Sequence, residues 1–180
     1  ITPTLIEVSG IPQGGVPFVL CVFGAGMIAG NIVGPKLADR ALLPTIAGLL
    51  AWNVLVLVLF TVAVRQPVTA VAVVFLIGTG FAVVPTLQTR LMDVGKDAQT
   101  LAAALNHSAF NIANALGAWL GGVSIAAGYG WASTGWVGAL LGLVGSAVFV
   151  VSLLLDRRGR SAAATASRSL PTPPADFYAP

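Results

Sequence analysis

The stretch LAAALNHSAFNIANALGAWLGG (101–122) lies inside a longer segment, residues 98–155, that contains no Asp, Glu, Lys or Arg. Three further segments without charged residues precede it, at 8–35, 41–64 and 66–89. A helix needs about 20 mostly apolar residues to cross a hydrocarbon core of about 30 Å, so each shorter segment holds one crossing and the longest holds two. The sequence therefore predicts an all-α fold, a polytopic transmembrane helix bundle.

The composition agrees with a membrane protein. With 57% hydrophobic residues, 8% charged residues and a mean hydropathy of +0.92, a soluble domain of this size would have too little polar surface. The net charge of +3 does not indicate a nucleic-acid partner, because the basic residues lie at the edges of apolar segments. The single Cys21 excludes a disulfide framework within this sequence. We expect membrane lipid as the surrounding medium.

We place the spans at about 16–34, 43–63, 68–88, 101–125 and 135–155, in a transmembrane bundle over 1–155. The connectors are then 35–42, 64–67, 89–100 and 126–134. Residues 156–180 form a predicted cytoplasmic tail, disordered from Ser161 onward, because its Ala, Ser, Thr and Pro residues cannot bury a core. The chain opens on Ile1 without an initiator Met, and residues 1–9 suit the last turns of an earlier helix, so we expect a fragment.

The basic residues predict the orientation. With five crossings, connectors 35–42 and 89–100 share one side of the membrane with the tail. That side holds eight of the nine basic residues, namely Lys36, Arg40, Arg90, Lys96, Arg157, Arg158, Arg160 and Arg168, and the other side holds Arg65. Basic residues in short loops stay cytoplasmic, so we expect a multi-pass protein of the cell membrane with its C-terminus inside. Tyr129, Trp131 and Trp136 suit either an aromatic belt at the outer interface or ordinary core packing.

The fourth span carries the most polar side chains. At about 100° per residue, His107, Asn111, Asn114 and Ala118 fall on one face, and Asn106 is a further polar residue of the same span. We call His107, Asn111 and Asn114 the polar stripe. Unmet hydrogen bonds in lipid cost several kcal/mol each, so the stripe is expected to line a neighbouring helix or a watery cavity. The glycine-rich first and third spans, which contribute Asn31 and Gln88 as further candidate cavity residues, are expected inside the bundle.

Two interpretations of the polar stripe stay open. His107 either packs as a neutral, hydrogen-bonded imidazole or binds substrate or a proton in a cavity, since histidine changes charge nearest physiological pH. The asparagines either join helices or contact a solute. The fourth span also has a second stripe, a row of small residues at Ala113, Gly117 and Gly121, with the spacing of close helix contacts.

No enzyme signature is present in the sequence. It has one histidine, no carboxylate inside a predicted span, no Walker loop and no metal-ligand cluster. We therefore predict that the protein is not an enzyme and needs no cofactor or metal.

Two segments, GNIVGPKLADR (30–40) and ALNHSAFNIANALGAWLGG (104–122), resemble the C-terminal half of major facilitator superfamily permeases. They are most similar to the drug:proton antiporter branch, with its arabinose-efflux and chloramphenicol-resistance-type exporters. The resemblance implies that the spans are helices eight to twelve of twelve, after a truncated helix seven. It also implies that Asp39 and Arg40 form the acidic-basic pair of a cytoplasmic gate loop, although Pro35 and residues 41–44 depart from the family pattern.

The sequence and the resemblance together predict a fragment of a secondary active transporter that exports drugs or other small molecules by alternating access, coupled to protons. Its partners would be a small-molecule substrate, protons and the N-terminal half of the same transporter. A sugar or metabolite exporter is the alternative within transport. A non-transporting assembly partner or sensor, whose stripe only joins helices, is the alternative outside it.

The charge asymmetry generates a topology prediction. A reporter fused after Arg160 is expected to be active only if it is an enzyme that works in the cytoplasm. The reason is that the basic residues keep the tail on the cytoplasmic side of the membrane. An impermeant label placed in the connector 126–134 is expected to react from outside intact cells. Labelling that is reversed between these two places would contradict the predicted orientation.

Overall fold

The computed structural model describes residues 2–95 and 98–169, with side-chain surroundings described up to residue 158. The described residues form seven α-helices: α1 (Thr2–Glu7), α2 (Val16–Arg40), α3 (Leu42–Ala63), α4 (Pro67–Thr79), α5 (Val83–Val94), α6 (Gln99–Ser124) and α7 (Ser133–Ser169). Short 3₁₀ segments occupy Gln13–Gly15 and Gly80–Ala82, and a π-helical turn occupies Ile125–Tyr129.

Five helical stretches are long and apolar enough to cross a membrane, namely Gln13–Arg40, Leu42–Ala63, Pro67–Val94, Gln99–Tyr129 and Ser133–Arg158. Each of the five predicted spans lies within one of these stretches. The predicted all-α, polytopic architecture is therefore confirmed for the described part of the chain.

The chain divides into two units, 1–146 and 147–180. In the second unit the described residues continue helix α7 to Ser169. Over 161–169 the structure thus has helix where the sequence predicted a disordered tail, and the remainder of that predicted tail lies outside the described residues. The segment from Ser161 is rich in alanine, the strongest helix former, and lengthening an existing helix needs no new nucleus.

The predicted connector 35–42 is also corrected. Helix α2 continues through Pro35 to Arg40, so only Ala41 separates it from α3. A proline inside a helix removes one backbone hydrogen bond, a loss that membrane helices tolerate where neighbouring groups and local adjustment compensate. The residues that follow, Lys36, Leu37 and Ala38, favour the helical state.

Helix α2 approaches α4 and the 3₁₀ segment Gly80–Ala82 along a row of buried glycines spaced four residues apart, at Gly26, Gly30 and Gly34. A Cβ atom on Gly30 would lie 2.9 Å from the Cα of Thr79, and one on Gly34 would lie 2.7 Å from the Cβ of Ala82. On α4, a Cβ at Gly78 would likewise clash with the backbone of α2. Small residues let two helix backbones approach this closely, so the expected position of these glycines inside the bundle is confirmed.

The core of the first unit lies where α2 and α4 begin and α3 ends. Helix α1 contributes Leu5, which is fully buried there with Val19, Phe60 and Val74. The hydroxyl of the buried Ser9 donates a hydrogen bond of 2.6 Å to the carbonyl oxygen of Val64. This bond fixes the segment after α1 to the end of α3.

The first turns of α7 pack on α3 through a second row of glycines. A Cβ on Gly135 would lie 2.9 Å from the carbonyl oxygen of Leu57, and one on Gly142 would lie 2.9 Å from Cγ2 of Val54. Helix α3 is thus held between α4 and the start of α7.

Two glycines of α2 provide a matched test of the close α2–α4 contact. A Cβ at Gly24 would meet no atom within 4 Å, whereas one at Gly30 would press on the backbone of Thr79. Gly24→Ala should therefore be neutral or stabilising by up to about 1 kcal/mol, the gain in helix propensity. Gly30→Ala should destabilise the protein by about 1–3 kcal/mol through overpacking.

The measurement is thermal unfolding of the two variants of the full-length protein in the same detergent. Because both changes replace glycine by alanine in one helix, their propensity gains cancel in the comparison. Equal melting temperatures for the two variants would contradict the close contact.

Candidate functional site

The polar stripe lies on the uncovered side of α6. His107, Asn111 and Asn114 are all exposed, and Asn106, about 100° around the helix from His107, is half-buried. In the most apolar 18 residues of Gln99–Tyr129, 6% of the residues are buried, whereas in the most apolar 18 residues of Pro67–Val94 the buried share is 33%. No other helix in the described part of this chain covers the stripe.

A different face of α6 makes its contacts within the chain. Ala102 and Gly121 are buried, and Gly117 is half-buried. At the end of the helix, the hydroxyls of Ser124 and Ser133 lie 2.9 Å apart and share a hydrogen bond that joins α6 to α7. At about 100° per residue, Ala102 lies about 120° around the helix from Asn114, whereas Gly121 lies about 20° from it, so the packed face borders the polar stripe at the Ser124 end of α6.

The predicted small-residue row belongs to this packed face only in part. A Cβ on Gly121 would reach Cγ2 of Thr134 at 3.6 Å, an ordinary contact, and one on Gly117 would meet nothing within 4 Å. Ala113 is exposed. Among the described residues, the row therefore does not form the close contact of the kind seen between α2 and α4.

The stripe has unmet hydrogen-bonding capacity. Among the described residues, no hydrogen bond involves the side chain of His107, Asn111 or Asn114. A polar group left unpaired in hydrocarbon costs several kcal/mol, so this face is unsuited to lipid. It requires water, a solute or a second helical unit against it.

The other two candidate cavity residues lie on different helices. Asn31 is exposed on α2, and Gln88 is half-buried on α5. The groove between α2, α3 and α4, the pocket between α2 and α5 and the pocket between α3 and α7 are all lined by other residues. The structure does not gather the six candidates into any of these three cavities, so a shared role for them stays a prediction.

The predicted gate residues lie at the end of α2. Asp39 and Arg40 are both exposed. Asp39 lines a pocket of about 260 Å³ between α2 and α5, where Asp93 and Thr89 also contribute to the wall. Asp93, which the sequence did not single out, therefore places a second carboxylate beside the predicted gate.

Sequence reasoning also missed a polar contact inside the bundle. Trp52 Nε1 of α3 donates a 2.9 Å hydrogen bond to the hydroxyl of Thr79. The amide of Asn53 donates to the carbonyl oxygens of Leu49 at 2.9 Å and Gly80 at 3.1 Å. These bonds hold α3 to the 3₁₀ segment Gly80–Ala82 between α4 and α5. An amide in an otherwise aliphatic span was the available signal, since it requires a partner in a membrane.

No family model and no solved structure matches the chain significantly. Among curated proteins, it is 33% identical over 161 residues to the MFS-type transporter YfhI of Bacillus subtilis, a match covering 88% of this chain and 40% of the relative. It is 38% identical over 142 residues to the inner membrane transport protein YdhP of Escherichia coli K12, covering 78% of this chain and 36% of the relative.

A third relative, from Haemophilus influenzae, is named a probable sugar efflux transporter and is 30% identical over 162 residues, covering 87% of this chain and 39% of the relative. The chain thus spans about two fifths of the length of the curated relatives it matches. These similarities and the five membrane-capable helices lead to one conclusion: the chain is that of a multi-pass membrane protein homologous to transporters of the major facilitator superfamily.

Proposed function

We propose that the chain is the C-terminal bundle of a secondary active exporter that works by alternating access. The uncovered polar stripe on α6 is the observation that carries this proposal. A membrane-spanning helix with a hydrogen-bonding face that its own bundle leaves open suits a site between two bundles, where the second bundle and water meet that face. In the proposed assembly, the N-terminal half of the same transporter supplies the opposite wall.

The division of polar groups supports this arrangement. Trp52, Asn53 and Thr79 are satisfied by partners inside the bundle, whereas His107 and Asn111 have no described partner. The hydrogen-bonded group stabilises the packing of the helices, and the side chains of His107 and Asn111 remain available to bind a solute. A non-transporting assembly partner would need the stripe covered permanently by another helix.

Export of drugs or other small molecules, driven by protons, is the proposed activity. The resemblance of 30–40 and 104–122 to drug:proton antiporters supports it. In this proposal His107 is the group of the stripe that can exchange a proton. The carboxylate of Asp39, at the exposed end of α2, would stabilise one conformation of the cytoplasmic gate by accepting hydrogen bonds from the free backbone N–H groups at the start of another helix.

Sugar export is the second candidate. One specific observation favours it, the name of the Haemophilus influenzae relative as a probable sugar efflux transporter. The asparagines of the stripe also fit this candidate chemically, because amides both donate to and accept from hydroxyl groups.

Substitutions in the stripe test the proposal in the full-length protein. His107→Ala and Asn111→Ala should each lower export about 2–10-fold, the effect of losing one hydrogen bond to a solute or a proton carrier, with membrane abundance near wild type. Ser108→Ala is the matched control, since Ser108 is an exposed polar residue of α6 outside the stripe. The measurement is efflux of a fluorescent drug and, separately, of a labelled sugar from loaded cells.

Three outcomes would count against the proposal or its parts. Equal losses of protein level and transport would indicate a packing role for the stripe. An equal loss of export in Ser108→Ala would show that the effect is not specific to the polar stripe. Export by His107→Gln with the pH dependence of the wild type would contradict a protonic role for His107 while leaving transport itself intact.

A further inference from the structure

The pocket between α3 and α7, of about 670 Å³, lies at the end of the bundle where α3 ends and α7 begins. We call it the α3–α7 pocket and define it by the lining residues that matter here, Val62, Arg65, Tyr129, Trp136, Val137 and Leu140. Its volume falls within the range of pockets that hold small organic ligands, about 300–1,000 Å³. No candidate transport residue contributes to it.

Arg65 gives the pocket its charge. It is exposed, and it is the one basic residue between Arg40 and Arg90 in the sequence. Within the described part of the chain, its guanidinium has neither an ion pair nor a side-chain hydrogen bond. A guanidinium presents a planar set of donors that matches the oxygens of a phosphate group.

The rest of the lining changes from aromatic to aliphatic side chains along the length of the pocket. Tyr129 and Trp136 are 78% and 56% exposed, and such amphipathic aromatic rings favour the level of lipid headgroups. Leu140 lies seven residues into α7, about 10 Å from its start, and Val62 lies in the last turn of α3. The pocket therefore runs from a cation through aromatic rings to an aliphatic wall.

The hydroxyls in the wall do not require a polar ligand. The hydroxyls of Ser124 and Ser133 lie 2.9 Å apart, and the carbonyl oxygens of Gly121 and Gly130 lie 2.8 and 2.7 Å from them. One hydroxyl therefore donates to its carbonyl oxygen and accepts the hydrogen bond that the other donates. The hydroxyl of Thr61, which also lines the pocket, donates to the carbonyl oxygen of Val58 at 2.7 Å. The wall that Val137 and Leu140 of α7 contribute is consequently suited to hydrocarbon. A soluble anion would bind Arg65 but would make no contact with the aliphatic wall of the pocket.

We infer that the α3–α7 pocket binds a membrane phospholipid, with its phosphate on Arg65 and an acyl chain along Val137 and Leu140. The order of cation, aromatic rings and aliphatic wall matches the order of phosphate, interface and chain in a lipid. The lipid would bridge α3 and α7 at the end of the bundle opposite Lys36. This site does not depend on the proposed transport activity.

Native mass spectrometry of the full-length protein, purified with added phosphatidylglycerol, tests the inference. Arg65→Gln should lower the population carrying bound lipid about tenfold, as expected for losing charge-assisted hydrogen bonds to phosphate. Lys36→Gln is the matched control, because Lys36 is exposed at the other end of the bundle and does not line the pocket. This control should retain lipid as the wild type does.

A second variant separates a lipid from a free phosphate. Leu140→Trp fills the aliphatic end, so it should also reduce bound lipid while leaving Arg65 in place. Inorganic phosphate at millimolar concentration should not displace the lipid. Unchanged lipid in Arg65→Gln, an equal loss in Lys36→Gln, unchanged lipid in Leu140→Trp or displacement by inorganic phosphate would each overturn the inference.

Discussion

The close contact between the backbones of α2 and α4 is the constraint on which the rest of the first unit depends. Gly26 and Gly30 present no side chains, so α2 lies directly against the main chain of α4, and Gly34 in the same way lies against Ala82 of the 3₁₀ segment that follows α4. The 3₁₀ segment Gly80–Ala82 packs against α3, where the side-chain amide of Asn53 donates a hydrogen bond to the carbonyl oxygen of Gly80. A side chain at any of the three glycines would separate the two helices and remove this arrangement.

A second constraint is that polar groups inside a membrane need hydrogen-bond partners. The helices differ in how far their polar groups have such partners within the chain. Inside the bundle, Trp52, Thr79 and Thr86 form hydrogen bonds with neighbouring helices or with their own backbone. On α6, His107 and Asn111 are exposed. The uneven distribution distinguishes groups that stabilise the bundle from groups that the bundle presents outward, and it is the physical basis of the proposed function.

The sequence predicted the five spans and the close packing of the glycine helices because both follow from local composition. It did not predict that α2 continues through Pro35, since a proline effect depends on what compensates the missing hydrogen bond nearby. The partners of Trp52 and Asn53 depend on tertiary register, which composition does not encode. For the candidate site, the sequence identified the polar stripe, but its exposure became known only from the packing of α6.

The central claim is that the polar stripe faces water and not lipid or a permanently packed helix. Single cysteines at His107, Asn111 and Asn114 test it most directly in the full-length protein, in a Cys21→Ser background because the native thiol is exposed. Leu55, which is 59% exposed on the aliphatic α3, is the lipid-facing control. A water-borne thiol reagent is predicted to modify the three stripe positions and to leave Leu55→Cys unmodified. Unreactive stripe positions, or equal reaction at Leu55→Cys, would contradict the account.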